Sequence, residues 1–222
     1  MKTKVAAWLM AFLAAFAVSG AYASATTGAP SVASSSHPLS IVHRLAQQPP
    51  TQTVFAEARF SSLLDRALVL KGKLAWQGGD RLERKVTQPY SEHTRIDGNQ
   101  VSVTRKGHGT RHFSLGRAPA MKALLDGLLA VLAGNPRRLR GVFDASLQGR
   151  SDAYWTLVLV PHSPKLAHQL KGLALDGYAD TLRCIEINQS GGDESIYVLG
   201  KLSSRVSARP TQSSLKTLCR AG

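Results

Sequence analysis

The stretch LVLKGKLAWQGGDRLERKVTQPYSEHTRIDGNQVSVT, Leu68 to Thr104, reads as three antiparallel strands in a row. In its first part Leu68, Leu70, Gly72, Leu74 and Trp76 share one face, and Val69, Lys71, Lys73 and Ala75 share the other. This is the two-residue period of a strand with one face buried. Gln77-Gly78-Gly79-Asp80 supplies a turn. Arg81 to Thr87 forms the next strand, with Leu82, Arg84 and Val86 on the inward face and Arg81, Glu83 and Lys85 on the outward one; Pro89 closes it. His93 to Ile96 pairs onward through Asp97-Gly98-Asn99, a strong hairpin signal, into Val101 to Arg105. Phe113 and Leu115 extend the ribbon beyond the Lys106–Gly109 turn. Nothing in the stretch looks catalytic. It is a sheet that the rest of the chain extends and covers on one face.

Upstream, Thr51 to Phe60 alternates in the same way. Val54, Ala56, Ala58 and Phe60 point to one side, and Phe55, Glu57 and Arg59 to the other. Ser61 to Arg66 connects this strand to Leu68. Before it, Leu39, Val42, Leu45 and Ala46 recur at helical spacing within Pro38 to Gln47, so a short amphipathic helix is expected, stopped by Pro49-Pro50. Ser24 to Ser36 has no periodicity, and residues 24–37 read as a flexible leader. The basic start Met1 to Lys4, the apolar run Val5 to Val18 and the Ala21-Tyr22-Ala23 site are the three parts of a signal peptide over residues 1–23. The apolar run is short of the roughly 20 residues that a membrane span needs.

Downstream the period changes. Pro119 to Ala133 is helical, with Met121, Leu124, Leu125, Leu128, Leu129 and Leu132 as its apolar stripe and Gly134-Asn135-Pro136 as its stop. Leu139, Val142 and Phe143 add a helical turn. Trp155 to Val160 is a buried strand ended by Pro161, and Ser163 to Leu170 a short helical turn. Leu173–Asp176, Leu182–Asn188 and Ser195–Leu199 are three further strands, the last two linked through Gly191-Gly192-Asp193. Residues 203–222 read as a polar, weakly patterned tail, leaving 38–202 as the folded domain. Eight to ten antiparallel strands with two helical pieces make a mainly β (α+β) fold. Such a sheet curls, and two helices can lid its concave face but cannot wrap it.

The motifs exclude more than they assign. There is no nucleophile elbow, HExxH, Walker A or complete GxGxxG. Lys106-Gly107-His108-Gly109 sits in a hairpin and reads as an ordinary turn. His108 and His112 have no carboxylate or Cys beside them to complete a metal set. Nothing in the sequence brings Asp144, His162 and Ser195 together as a triad. No enzyme, cofactor or metal is expected. The formal charge is +14, and +12 without Lys2 and Lys4. Export excludes nucleic acid as the anionic partner, which leaves a membrane surface or acidic headgroups, or else a merely solvated basic face. Arg137, Arg138 and Arg140 are the candidates for docking. Cys184 and Cys219 either pair in an oxidising compartment, tying the tail to a strand, or remain two thiols.

Arg84 is the informative charge. An inward arginine is costly unless paired or used. It either binds a backbone carbonyl of a lid helix or holds a headgroup, unless the strand face is reversed or the guanidinium reaches the rim. Around it Phe60, Leu70, Leu74, Trp76, Leu82, Val86, Leu124 and Leu128 form an apolar wall. The same residue types build a filled core or a partly empty cavity.

The order of motifs resembles a known family. A strand with Phe55-Ala56-Glu57 precedes Gly72-Lys73-Leu74, then Asp80-Arg81-Leu82, Pro89 and Ile96-Asp97-Gly98-Asn99-Gln100-Val101. An apolar helix over Met121–Ala133, Val142-Phe143-Asp144, the Trp155–Pro161 strand with Leu166, and Ile185 through Gly192-Asp193-Glu194-Ser195 follow. From Leu39 to Leu199 this is similar to the periplasmic outer-membrane lipoprotein carriers, LolA-like, in their divergent LolA-related branch. The resemblance implies an incomplete, strongly curved antiparallel β-barrel whose N-terminal and central helices cover the open side. It implies a monomeric periplasmic carrier that takes acyl chains of a lipoprotein into an apolar cavity. Such a carrier shuttles them from an inner-membrane exporter to an outer-membrane acceptor, touching the membrane transiently, with no cofactor and no covalent reaction. An inward arginine that contacts the lid belongs to this picture, and Arg84 matches it. The strong basicity, long leader and two late cysteines depart from the main branch and widen the cargo to other lipids. A non-catalytic binding or envelope-structural protein with a filled core is the alternative; a hydrolase with dispersed catalytic residues is a third.

Overall fold

A computed structural model describes residues 38–220; the signal peptide and leader expected over 1–37 lie outside the described residues. The chain opens with helix α1 (Ser40–Arg44) and six strands: β1 (Thr51–Phe60), β2 (Leu68–Gly78), β3 (Arg81–Gln88), β4 (Glu92–Asp97), β5 (Gln100–Arg105) and β6 (Gly109–Ser114). Helices α2 (Pro119–Leu132) and α3 (Pro136–Arg140) follow, then β7 (Phe143–Gly149), β8 (Tyr154–Pro161), α4 (Pro164–Ala167), β9 (Leu170–Tyr178), β10 (Thr181–Gln189) and β11 (Glu194–Leu199). A 3-10 segment (Gly200–Arg205) leads to α5 (Gln212–Arg220).

All eleven strands form one antiparallel sheet in the order β6-β5-β4-β3-β2-β1-β11-β10-β9-β8-β7. It curls without closing, the incomplete half-barrel that the resemblance implied. Two local meanders meet where β1 pairs with β11, from Phe55 opposite Leu199 to Phe60 opposite Glu194. The strand predicted over Thr51–Phe60 has those bounds. It lies mid-sheet, so its residues Phe55 to Ala58 are buried on both faces.

On the concave face, α1, α2 and α3 pack over the β7–β10 half. Ile41, Val42, Leu139, Phe143, Trp155, Leu157, Leu173 and Leu175 are among the residues of this core. The short N-terminal helix is present, but Ile41 is buried in place of the expected Ala46, which is exposed. Helix α2 is rotated from its expected stripe. Ala123, Gly127, Leu129, Ala130 and Val131 are its buried residues, while Leu124, Leu125, Leu128 and Leu132 are half-buried and Met121 is exposed. The reason is close approach. A Cβ at position 127 would come within 2.8 Å of the Phe143 ring, so the small-residue side faces the sheet and the leucines flank it. Phe143 starts β7 and does not extend a helix; only Leu139 of the expected extra turn is helical.

The stretch expected as a polar tail contains α5, laid on the convex face. Leu215 and Cys219 pack there with Ala56, Ala58, Ile196, Val198 and Val206. Cys184 and Cys219 are joined by a disulfide, with Cα atoms 5.8 Å apart. Around it lies a buried acidic cluster. The Lys216 ammonium pairs with Glu194 at 2.8 Å and Glu186 at 3.3 Å, and Arg220 approaches Asp176 at 3.7 Å. Asp176 also accepts hydrogen bonds from Tyr154 (2.8 Å) and Thr156 (2.6 Å). Burial, with Asp176 beside it, pushes the Tyr154 hydroxyl up to about 12. The helix escaped sequence reading because its apolar residues are few and its charged ones find partners only on the folded sheet.

Cys184 and Cys219 lie 35 residues apart. Closing a loop of that length stabilises by about 3–4 kcal/mol in the chain-entropy model. Cys219→Ser is therefore expected to lower the thermal midpoint by roughly 10 °C. Melting the oxidised wild type and the variant side by side by circular dichroism checks it; equal midpoints would show that the cross-link adds nothing to the stability of the fold.

Candidate functional site

The concave face of β1–β6 is built in rows that the strand register defines. The first row runs Trp76, Leu82, Ile96, Val101, Phe113, each directly opposite the next across β2 to β6. The second runs Leu74, Arg84, Thr94, Val103, Arg111. The third runs Gly72, Val86, Glu92, Arg105, Gly109. Across β3 to β6 the wall is thus apolar at the β2–β3 turn end and grows polar and charged toward the β1–β2 loop end, while on β2 it stays apolar through the buried Leu70. Trp76 and Val101 are buried, while Leu74, Leu82, Ile96, Val103 and Phe113 are half-buried. Trp76 donates its indole N–H to the Gly79 carbonyl at 2.9 Å, which satisfies its polar atom without breaking the apolar row.

Toward the polar end sits an ion-pair network. Glu57, only 1% exposed, pairs with Arg84 through one carboxylate oxygen and with Arg59 at 2.5 Å through the other. Arg84 reaches Glu92 at 3.3 Å, and its guanidinium carbon lies 5.2 Å from the centre of the Phe55 ring. Burial works against the charge on Arg84, yet Tyr197 and Glu57 together hold its guanidinium above the ordinary arginine value. Burial, reinforced by the Glu57 carboxylate, pushes the Tyr197 hydroxyl up. Arg84 Nε is buried without a hydrogen-bond partner. At the rim, Arg105 stacks over Tyr90 at 4.1 Å.

The sequence-predicted residues are only partly brought together. Leu70 and Val86 are fully buried beside Phe55, with Leu74 and Tyr197 packed against them. Leu124 and Leu128 border the core under α1–α3, and Tyr197 and Leu199 touch both clusters. Phe60 does not belong to this wall. It packs on the convex face with Ala56, Ala58 and Val198, because its register parity is that of Ala56, not Phe55. Arg84 does face inward, but the partners it finds are carboxylates of β1 and β4. In the basic patch, Arg138 is committed to Asp80 and Asp126, each at 2.8 Å, pinning α3 to α2 and the β2–β3 turn. Desolvation opposes it, but Lys122 and Arg138 hold the Asp126 carboxyl below its usual range. Arg137 and Arg140 are exposed. Sequence reading missed Glu57 as the partner of Arg84. The available signal was an acid on the Phe55 face of a strand that must pair near an inward arginine.

His162 and Asp144 are 3.0 Å apart at the sheet edge, whereas Ser195 lies on β11 in the sheet interior. Among the described residues no cluster of three or more His, Cys, Asp or Glu side chains is arranged to hold a metal ion. No helix among them is long and apolar enough to cross a membrane.

Residues 30–222 match the family model described as outer membrane lipoprotein carrier protein LolA-like, and the chain belongs to this family. No curated protein sequence matches it. Among solved structures, a LolA superfamily protein from Nitrosomonas europaea aligns at 10% identity over 74% of this chain and 90% of its own, with a TM-score of 0.41. A DUF1329 family protein from Desulfovibrio piger aligns at 11% identity over 74% and 90%, also with a TM-score of 0.41. The Pseudomonas aeruginosa MucA/MucB complex aligns at 15% identity over 83% of this chain, with a TM-score of 0.37; the chain spans 61% of that protein.

Removing the acid from the network leaves the largely buried Arg84 beside the half-exposed Arg59 with no carboxylate between them. Glu57→Leu is expected to cost about 3 kcal/mol, because the largely buried Arg84 is left with Glu92 alone and Arg59 loses its partner. Adding Arg84→Leu is expected to restore most of that loss, since an apolar pair replaces a desolvated ionic one. Urea denaturation of the two variants and the wild type measures both steps. A double variant no more stable than the single one would mean that the pair is not coupled.

Proposed function

We propose that the chain is a non-catalytic periplasmic carrier that takes acyl chains against the concave face of β1–β6 and ferries them between the inner and outer membranes. The observation that carries the reading is the graded wall. Its apolar row, with Leu82, Ile96 and Phe113 only half-covered, offers hydrocarbon contact, while the row nearest the β1–β2 loop end carries Glu92 and Arg105. An amphiphile fits such a wall in one orientation, its chains toward Trp76 and its headgroup toward Arg84 and Arg105. Each methylene moved from water onto the wall contributes about 0.8 kcal/mol, so two or three chains suffice for firm binding. The half-buried leucines of α2, Leu124 and Leu128, are the lid residues that would yield to them. Family membership supports the same assignment, with a lipoprotein or another lipid as cargo and membrane-bound donor and acceptor partners.

The test is uptake. Native mass spectrometry after gentle purification is expected to show bound lipid, and an apolar fluorescent probe is expected to bind and be displaced by fatty acid. Ile96→Asp places a charge in the apolar row and is expected to weaken probe binding about tenfold or more. Absence of both bound lipid and probe uptake in the wild type would sink the carrier reading in favour of a filled-core binding protein.

A further inference from the structure

The loop between β1 and β2 packs Ala67 against the convex core but leaves its middle, residues 62–66, exposed. Leu63 is 91% exposed and Leu64 is 42% exposed, although both are large and apolar and adjacent in the chain. The loop borders a cleft of about 810 Å³ lined by residues that include Leu63, Leu64, Leu68, Pro89 and Ala208. Arg66 and Lys71 also line this cleft. Antiparallel topology puts the β5–β6 corner at the same end of the sheet, and it adds the exposed Arg105 and Lys106. None of these four cations is ion-paired among the described residues, and the loop's single acid is Asp65. This is also the end where the concave wall becomes charged.

We propose that this loop is the protein's membrane-contacting element: Leu63 and Leu64 enter the headgroup–acyl boundary of an anionic bilayer while Arg66, Lys71, Arg105 and Lys106 meet its phosphates. Two vicinal exposed leucines suit a soft apolar layer, and the cations without ion-pair partners at the same end of the sheet supply the charge complementarity. The geometry also sets a direction of transfer. Cargo held headgroup-outward on the wall leaves at the end that touches the bilayer, its headgroup nearest the lipid headgroups. The patch Arg137–Arg140 is the poorer candidate, because Arg138 is already spent on Asp80 and Asp126. The transfer direction rests on the carrier reading; the membrane contact does not.

The experiment is co-sedimentation of the full mature chain with vesicles of phosphatidylglycerol and phosphatidylcholine in equal parts, or of phosphatidylcholine alone. Wild-type protein is expected to bind the anionic vesicles strongly and the neutral ones weakly. The double substitution Leu63→Asp, Leu64→Asp is expected to weaken anionic-vesicle binding by about tenfold or more, with the melting temperature and acyl-probe uptake unchanged. Arg66→Gln with Lys71→Gln is expected to reduce binding and its salt dependence while leaving the leucine effect in place. Full binding by the leucine variant overturns the proposal. So does a free wild-type chain that sediments as a dimer and becomes monomeric on the leucine substitution, because the occupant would then be a second copy. Leucine-dependent vesicle binding without probe uptake keeps the membrane contact and removes the carrier reading; probe uptake without vesicle binding does the reverse.

Discussion

Six residue pairs between β1 and β11 hold this molecule together as one sheet. Every other strand pairing joins neighbours in sequence across a turn or a short excursion. The β1–β11 ladder joins chain segments far apart and converts two separate meanders into a continuous curl. Its closure entropy is met by burial on both sides. On the concave side Phe55 packs with Leu70, Val86 and Tyr197; on the convex side Ala56 and Ala58 pack with Ile196, Val198 and the α5 residues. A central strand buried on both faces has no exposed polar face to place its charge on. Glu57 is consequently buried, and the Arg84 and Arg59 pairs follow from that burial.

Curling an eleven-stranded sheet gives its two halves different fates. The β7–β10 half is filled from the concave side by α1, α2 and α3, with Gly127 of α2 drawn onto Phe143. The β2–β6 half keeps a half-covered wall whose polarity changes along the strands. Hydrophobic rows at one end and charges at the other divide the face by depth, and the ion pairs sit between the two. The convex face is closed by α5, held by a disulfide and by Lys216 over buried carboxylates. Without that helix the convex side of β1 and β11 would expose Ala56, Ala58 and Val198 to water.

Much of the fold was legible. Alternation placed β1 to residue precision, and the glycine-marked turns placed β2 through β5, because a half-buried antiparallel strand writes its two faces into the sequence. Helix α2 was legible as a helix but not in its rotation. Nearly every position in PAMKALLDGLLAVL is apolar, so the stripe cannot say which side is nearest, and only the Phe143 ring decides. Strand β7, over which no strand was expected, and helix α5 were not legible, since their contacts are supplied by elements remote in sequence. In the candidate site, Arg84 stood out as an inward charge, but Glu57 did not, because its role depends on the register that sets Glu57 beside Leu70 and Arg84 beside Leu74.

By itself the sequence determined the antiparallel, mainly β character, the turn positions and the absence of any recognisable catalytic motif. These depend on local periods and on residue types that act within a few positions of one another. The tertiary structure alone decided which face Phe60 joins, what neutralises Arg84 and which cations of the basic chain remain free. Those outcomes depend on strand register and long-range pairing, and a one-residue change in register would reverse every one of the faces involved.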